Sequence, residues 1–486
     1  MPGDSGKSNN TGGIIISLLV VLLFSSFAPA APAKNKYYVL ENGLQVFLEE
    51  RDKIPLVNIV AAVNVGSKDE EKESSGLVHL LEHLVLFAGS QSSSPAALEA
   101  IIKKNGILFN AHTGYDQMTI DISTPAEFTP VAFKLLQEKL FNLKLTPEDL
   151  EKEKKIIREE LSQIEDEPEK LGMQLTLREL FSGHPYEKPV PGEKNSIENV
   201  SLEELERFYK KFFIPANCAL SVVGDFNIET AMETIKEGMG RVAVPNGIAT
   251  PLPRLPRPVF PLVPALKKNV ETQKELDIKQ AHLFIGFVAP GLNRADKLPM
   301  DVLTRMLGKG ISPLLYSAFK GWERPSESVK GLDVQYIALN YGGAVLFHLV
   351  LEAKKIAHTK RQILNFLKEL KSYPFSKRDY FYPLDPGIID YLETTKAWMQ
   401  LVYRLYTERE SDLAVSYARY MLTYDDMGNS TRHENQEQQE RKEASYGERL
   451  AALQSSDMQT VAANYFSGKK YVTVIIVPKT KKVNKK

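Results

Sequence analysis

The stretch Gly76-Leu77-Val78-His79-Leu80-Leu81-Glu82-His83 holds two histidines and a glutamate in the spacing His-x-x-Glu-His. On a helix, positions i, i+3 and i+4 share one face. His79 and His83 can therefore offer their imidazoles to one ion, with Glu82 beside them. A catalytic zinc takes three protein ligands and keeps a fourth position for water. The chain has a single cysteine, Cys218, so the third ligand is expected to be a carboxylate from another element. Glu82 is then free to serve as general base toward water whose pKa the ion lowers. The neighbours Leu77, Val78, Leu80, Leu81, Leu84, Val85, Leu86 and Phe87 are all apolar. Two imidazoles and a carboxylate in so apolar a helix are costly unless they share a partner such as a cation. Nitrogen and oxygen donors of this kind accept zinc, manganese or cobalt.

The elements that must hold these residues follow from local patterns. Val39 to Leu48 reads as two short strands joined by an Asn42-Gly43 turn. Val57–Val65 is a valine-rich strand, Gly76–Phe87 a buried helix, and Ala219–Gly224 a buried strand. Helices are expected at Thr129–Leu143, Leu150–Ile164 and Leu202–Phe213, the second opened by Thr146-Pro147-Glu148-Asp149. Seven prolines between Pro245 and Pro264 exclude a helix or a central strand and mark a stiff linker. Beyond it the order repeats at a spacing of about 220 residues: a strand at Gln280–Val288, a helix at Met300–Leu307, strands across Val334–Glu352 broken at Gly342-Gly343, then helices at Lys360–Leu370 and Gly387–Val402. The expected class is α+β, with two homologous domains, each an antiparallel-rich sheet packed with helices. The boundaries expected are a signal peptide at 1–33, a metal-bearing domain at 34–245, the linker at 246–264 and a second domain at 265–486.

Composition narrows the function classes. Lys and Arg number 61, as do Asp and Glu, so the formal charge is zero and no basic surplus points to nucleic acid. The apolar run Ile14–Phe24 has eleven residues, short of the roughly 20 that span a bilayer. Small residues at Ala28-Pro29-Ala30-Ala31-Pro32-Ala33 follow it, the layout of a secretory signal peptide. Export to the periplasm or beyond is expected, with no stable membrane span after cleavage. An uncleaved N-terminal anchor is the alternative.

The inverted motif with its flanks Gly76-Leu77-Val78 and Phe87-Ala88-Gly89-Ser90 resembles the pitrilysin/insulinase (M16) family of zinc peptidases, in its short-chain, two-domain branch. The resemblance implies a fold of the LuxS and mitochondrial processing peptidase type. It implies a third ligand about 77 positions after the second histidine, within Glu-x6-Glu; counting from His83 reaches Glu160, and Glu153 stands seven before it. By this resemblance one zinc per chain is held by His79, His83 and Glu160, Glu82 is catalytic, and Glu153 supports the site from behind. Phe109-Asn110-Ala111-His112-Thr113 resembles the family strand that lines the cleft, which makes Asn110 and Ala111 candidates for binding extended peptide backbone. His112 is expected in the cleft or on the surface, not as a ligand, and Cys218 in the core.

One departure has consequences for partners. Active members or their partner subunits carry an Arg-x6-Tyr pair in the second half, and the corresponding positions here are Lys320 and Glu327, with Arg324 and Tyr336 nearby at the wrong spacing. Lysine lacks the guanidinium fork, and glutamate puts negative charge where an oxyanion develops. The expectation is a homodimer, or a heterodimer with a related subunit that supplies the arginine and tyrosine. The expected activity is zinc endopeptidase cleavage of short or unfolded peptides. The alternative is a non-catalytic scaffold or assembly subunit of the same fold.

Overall fold

Alternating and valine-rich segments pair into two mixed sheets in the computed structural model, which describes residues 34–243, 260–308, 313–319, 329–375, 390–423 and 446–479. The first sheet comprises β1 (Lys34–Val39), β2 (Gln45–Glu50), β3 (Leu56–Val63), β4 (Leu108–Thr113), β5 (Met118–Pro125) and β6 (Cys218–Gly224), in the order β1-β2-β6-β3-β5-β4. The second comprises β7 (Val270–Leu276), β8 (Ala281–Ala289), β9 (Val329–Leu339), β10 (Gly342–Leu351) and β11 (Val472–Pro478), in the order β7-β11-β8-β10-β9. Setting β1 aside, both halves follow one plan. The last strand of the half inserts between the first two, parallel to one and antiparallel to the other, and the third strand forms an edge. The expected α+β duplication is therefore a repeat of strand order. The expected first hairpin pairs Val39 with Gln45, and Gly43 takes the positive φ of 85° that its turn requires.

The halves interlock. The Pro168–Leu180 helix, from the first half of the chain, lies on the second sheet, where Leu175, Leu177 and Leu180 pack with Phe284, Leu346 and Val474. The Glu410–Thr423 helix, from the second half, covers the first sheet, setting Leu413, Tyr417 and Met421 against Phe47, Val60 and Val223. The opposite face of the first sheet packs on the motif helix Leu77–Phe87 and the Thr129–Phe141 helix. Buried on both faces, every residue of β6 is shielded from solvent, including Cys218. Among the described residues, no helix is long and apolar enough to cross a membrane.

One glycine sets how closely the exchanged helix approaches. A Cβ on Gly172 would stand 2.0 Å from the Phe284 ring. Gly172→Ala is accordingly expected to destabilise the chain by about 1–3 kcal/mol, the usual range for overpacking. The check is a lowered chemical-denaturation midpoint; an unchanged midpoint would contradict this packing.

Candidate active site

The motif helix, Leu77–Phe87, begins at a residue that cannot cap it. Gly76 has a φ of 98°, and a Cβ there would meet Ile197 Cδ1 at 2.5 Å and Gly192 Cα at 2.8 Å. The capping is done by Glu70, which is buried. Its Oε2 accepts from the Gly76 N–H at 2.9 Å and its Oε1 from the Val78 N–H at 2.8 Å. Burial pushes the Glu70 carboxyl up to about 8, against the pull of those two donors and of Lys188. At the far end Lys139 Nζ donates to the carbonyls of Leu86, at 3.1 Å, and Ala88, at 2.6 Å. Burial lowers this ammonium to about 8. Neither residue was readable as part of the site, because each acts on backbone groups outside any recognisable capping pattern, Glu70 from just before the helix and Lys139 from far along the chain.

The helix that faces it, Pro147–Asp166, starts on Thr146, whose Oγ1 accepts from the Asp149 N–H at 3.1 Å, with Pro147 at the first helical position. Glu153 and Glu160 lie two turns apart on one face. Glu160 Oε2 is 3.7 Å from His79 Nε2 and 3.6 Å from His83 Nε2. One ligand atom from each of the three residues lies within 4.8 Å of the others. The two imidazoles meet edge to face, with ring centroids 4.8 Å apart at 84°. Two donors that share an ion with bonds of about 2.0–2.2 Å stand roughly 3.3–3.7 Å apart. Two imidazole nitrogens and a carboxylate oxygen at these separations suit zinc.

Glu153 orients the second histidine. It is buried, and its Oε2 lies 3.2 Å from His83 Nδ1. A proton on Nδ1 directed at this carboxylate leaves the Nε2 lone pair for the ion. His83 is raised in pKa: burial opposes the charge, but the Glu153 hydrogen bond and the charges of Glu160, Glu153 and Glu82 outweigh it. His79 moves the other way, to about 4, through burial and the nearby His83. Its Nδ1 is buried, and the Pro191 carbonyl beside the ring favours its protonated form. Glu153→Gln is expected to weaken zinc binding about 10–100-fold, as read by competition with a chromophoric chelator. Glu159→Gln, exposed on the same helix, is the control expected to leave affinity unchanged.

Glu82 is not one of the three converging donors; it is half-buried, against Thr113 at the end of β4. Burial raises its pKa, while the Thr113 hydroxyl and backbone, His83 and His112 pull it back. β4 is an edge strand, bonded to β5 alone. The Ala111 N–H is met by its own neighbour, Asn110 Oδ1, at 2.9 Å. Asn110 Nδ2 lies 3.2 Å from His112 Nε2, and His112 is largely exposed, 3.5 Å from Asp121. Asn110, Ala111 and His112 thus lie on a sheet edge next to the general-base candidate.

In the second half, the helix equivalent to the motif helix carries no such donor set. The Lys297–Gly308 helix follows β8 as the motif helix follows β3, yet it carries Asp301 and Arg305 and no histidine. These two line a cavity of about 370 Å³ with Tyr336, Trp398, Tyr403 and Tyr446. The Arg305 guanidinium sits 3.8 Å from the Trp398 ring centroid, and the Tyr336 hydroxyl donates to the Pro290 carbonyl at 2.7 Å. Lys320, Arg324 and Glu327 lie outside the described residues, as do the signal segment 1–33 and most of the proline-rich linker.

Comparison with known proteins agrees with this division of the chain. Residues 45–194 match the family described as Insulinase (Peptidase family M16), and residues 199–380 match the Peptidase M16 inactive domain. A protein of Helicobacter pylori named zinc protease PqqE is 24% identical over 472 residues, covering 96% of this chain and 98% of that protein. A mitochondrial-processing peptidase subunit beta of Schizosaccharomyces pombe is 25% identical over 220 residues, 45% of this chain and 48% of that protein. The crystal structure of a protease from Helicobacter pylori superposes with a TM-score of 0.78 at 22% identity, covering 92% of this chain and all of that one (100%). The first matched segment contains the His79, His83 and Glu160 donors and the second begins after them, and the chain belongs to peptidase family M16.

Proposed function

We propose that this chain is an exported zinc metalloendopeptidase that hydrolyses short or unfolded peptides. The observation that carries this reading is the convergence of His79 Nε2, His83 Nε2 and Glu160 Oε2 beside Glu82 and the open edge of β4. His79, His83 and Glu160 would hold zinc, which when bound acidifies a water molecule and polarises the scissile carbonyl. Glu82 accepts the proton of the attacking water as its oxygen bonds to the carbonyl carbon. It returns that proton to the leaving nitrogen as the C–N bond breaks. The raised pKa of Glu82 strengthens it as the base for the first transfer, and the proton it then carries is the one handed to the leaving nitrogen. Glu153 holds His83 in the tautomer that binds.

The free edge of β4 can pair with an extended peptide, whose backbone would displace Asn110 Oδ1 from the Ala111 N–H. Such pairing reads an extended conformation more than side chains, which favours flexible substrates over folded ones. The Lys320 and Glu327 departure supports a second, related subunit that contributes an arginine and a tyrosine. The leader-like segment supports export. A scaffold role is the second reading, favoured by the description of the second half as an inactive domain; the intact donor set and base of the first half weigh against it.

The distinguishing experiment incubates the zinc-loaded chain with a quenched, unstructured peptide and with a folded domain that contains the same sequence. The enzyme reading predicts cleavage of the peptide only. Zinc binding with neither substrate cut, by the chain alone or with a related subunit that supplies the arginine and tyrosine, would favour the scaffold.

A further inference from the structure

Among the described residues, one other trio of metal-type donors converges: Glu169, His282 and His348. Their sequence spacing carries no motif. The fold alone brings them together, on the sheet face that receives the exchanged helix.

His282 lies on β8 and His348 on its neighbour β10. In their register His348 stands opposite Phe284 and Val350 opposite His282, so the histidines are diagonal neighbours on one face. Phe284 and Leu346 on that face pack against Pro168–Leu180. The two imidazoles stack at 5.2 Å and 14°, and His348 also stacks on Phe284 at 4.3 Å and 7°. His282 Nδ1 and His348 Nε2 are 3.0 Å apart. Tetrahedral zinc with bonds of about 2.0–2.1 Å separates two nitrogen ligands by about 3.4 Å. A few tenths of an ångström of ring movement therefore turns a hydrogen-bonded pair into a ligand pair.

The third donor comes from the other half of the chain. Glu169 sits in the first turn of the Pro168–Leu180 helix, and its carboxylate lies within 4.8 Å of both ring nitrogens. Glu169 and His348 line a cavity of about 380 Å³ with Asp333 and Gln335, which leaves room for water on an ion. Asp333 stands opposite His348 in the β9–β10 register and adds negative charge to the same cavity.

We propose that Glu169, His282 and His348 form a second divalent-metal site, one that takes zinc and clasps the Pro168–Leu180 helix onto the second sheet. Two imidazoles and one carboxylate are a zinc-type donor set, unlike the all-oxygen sets that magnesium or calcium use. Because the ligands come from both halves, an ion bound here stabilises their packed arrangement by mass action. The clasp is independent of the peptidase reading.

The test is zinc titration of the chelator-stripped full chain, followed by competition and by thermal melting. Two equivalents are expected for wild type and one for His348→Ala. The His79→Ala/His83→Ala chain should also bind one, and zinc should raise its melting temperature until His348→Ala is added. Glu169→Gln, at an exposed position outside the core, should weaken the second event by at least the roughly tenfold that loss of an outer partner costs. A single equivalent in wild type that His79→Ala/His83→Ala abolishes, or two undiminished by His348→Ala and Glu169→Gln, overturns the proposal. Two equivalents with no peptide cleavage would support the clasp and defeat the peptidase reading, so the two fail separately.

Discussion

Glu82→Gln is expected to lower kcat/KM on an unstructured peptide by about 10²–10⁴-fold, the range that a general acid–base group contributes, while zinc content stays that of wild type. The amide keeps the shape of the carboxyl and its contact with Thr113, but it has no basic oxygen to take a proton. Glu82 is not among the three converging donors, so its substitution leaves the donor set whole. Peptide affinity should also survive, because the β4 edge is untouched. Parallel measurements of metal content, KM and kcat check this. Full activity in the variant would remove Glu82 from the chemistry, and loss of zinc would make it a ligand.

Glu160→Ala should abolish cleavage by a different route. It deletes one of three donors, so zinc affinity at that site should fall by more than the roughly 10–100-fold attributed to supporting groups. Activity should fall with occupancy and recover in part at high zinc. Glu160 suits the test better than either histidine, because its side chain is 41% exposed while that of His83 is 9% exposed. Truncation there removes a ligand with little cost to the core. Circular dichroism and the melting temperature of the stripped protein should match stripped wild type. A variant that holds zinc as tightly as wild type would show that Glu160 is not a ligand.

What could be read without coordinates follows from the range of each interaction. His79, Glu82 and His83 share one helix turn, so their convergence is local and follows from helical periodicity. Glu160 and Glu153 are separated from them by β4, β5 and two helices. Among so many glutamates on a charged helix, only the family spacing singled them out. Glu70 and Lys139 escaped notice because they satisfy helix-end backbone groups from outside the helix, and sequence pattern does not record which side chain will do so. The helix exchange was equally hidden. The run Ala219–Val223, apolar but for Ser221, signals burial on both faces, but not that Leu413 and Tyr417 provide the second cover. The pairing of His282 with His348 depends on strand register between β8 and β10, which no local signal fixes.

Zinc readdition to the stripped wild-type chain, with occupancy of the His79–His83–Glu160 site and peptide cleavage followed in the same samples, tests the central claim most directly. The expected result is no cleavage by the stripped chain, then cleavage that rises in proportion to occupancy of that site and levels off when it is full. Cleavage that survives stripping, or a chain with that site full of zinc that leaves the peptide intact, would contradict it.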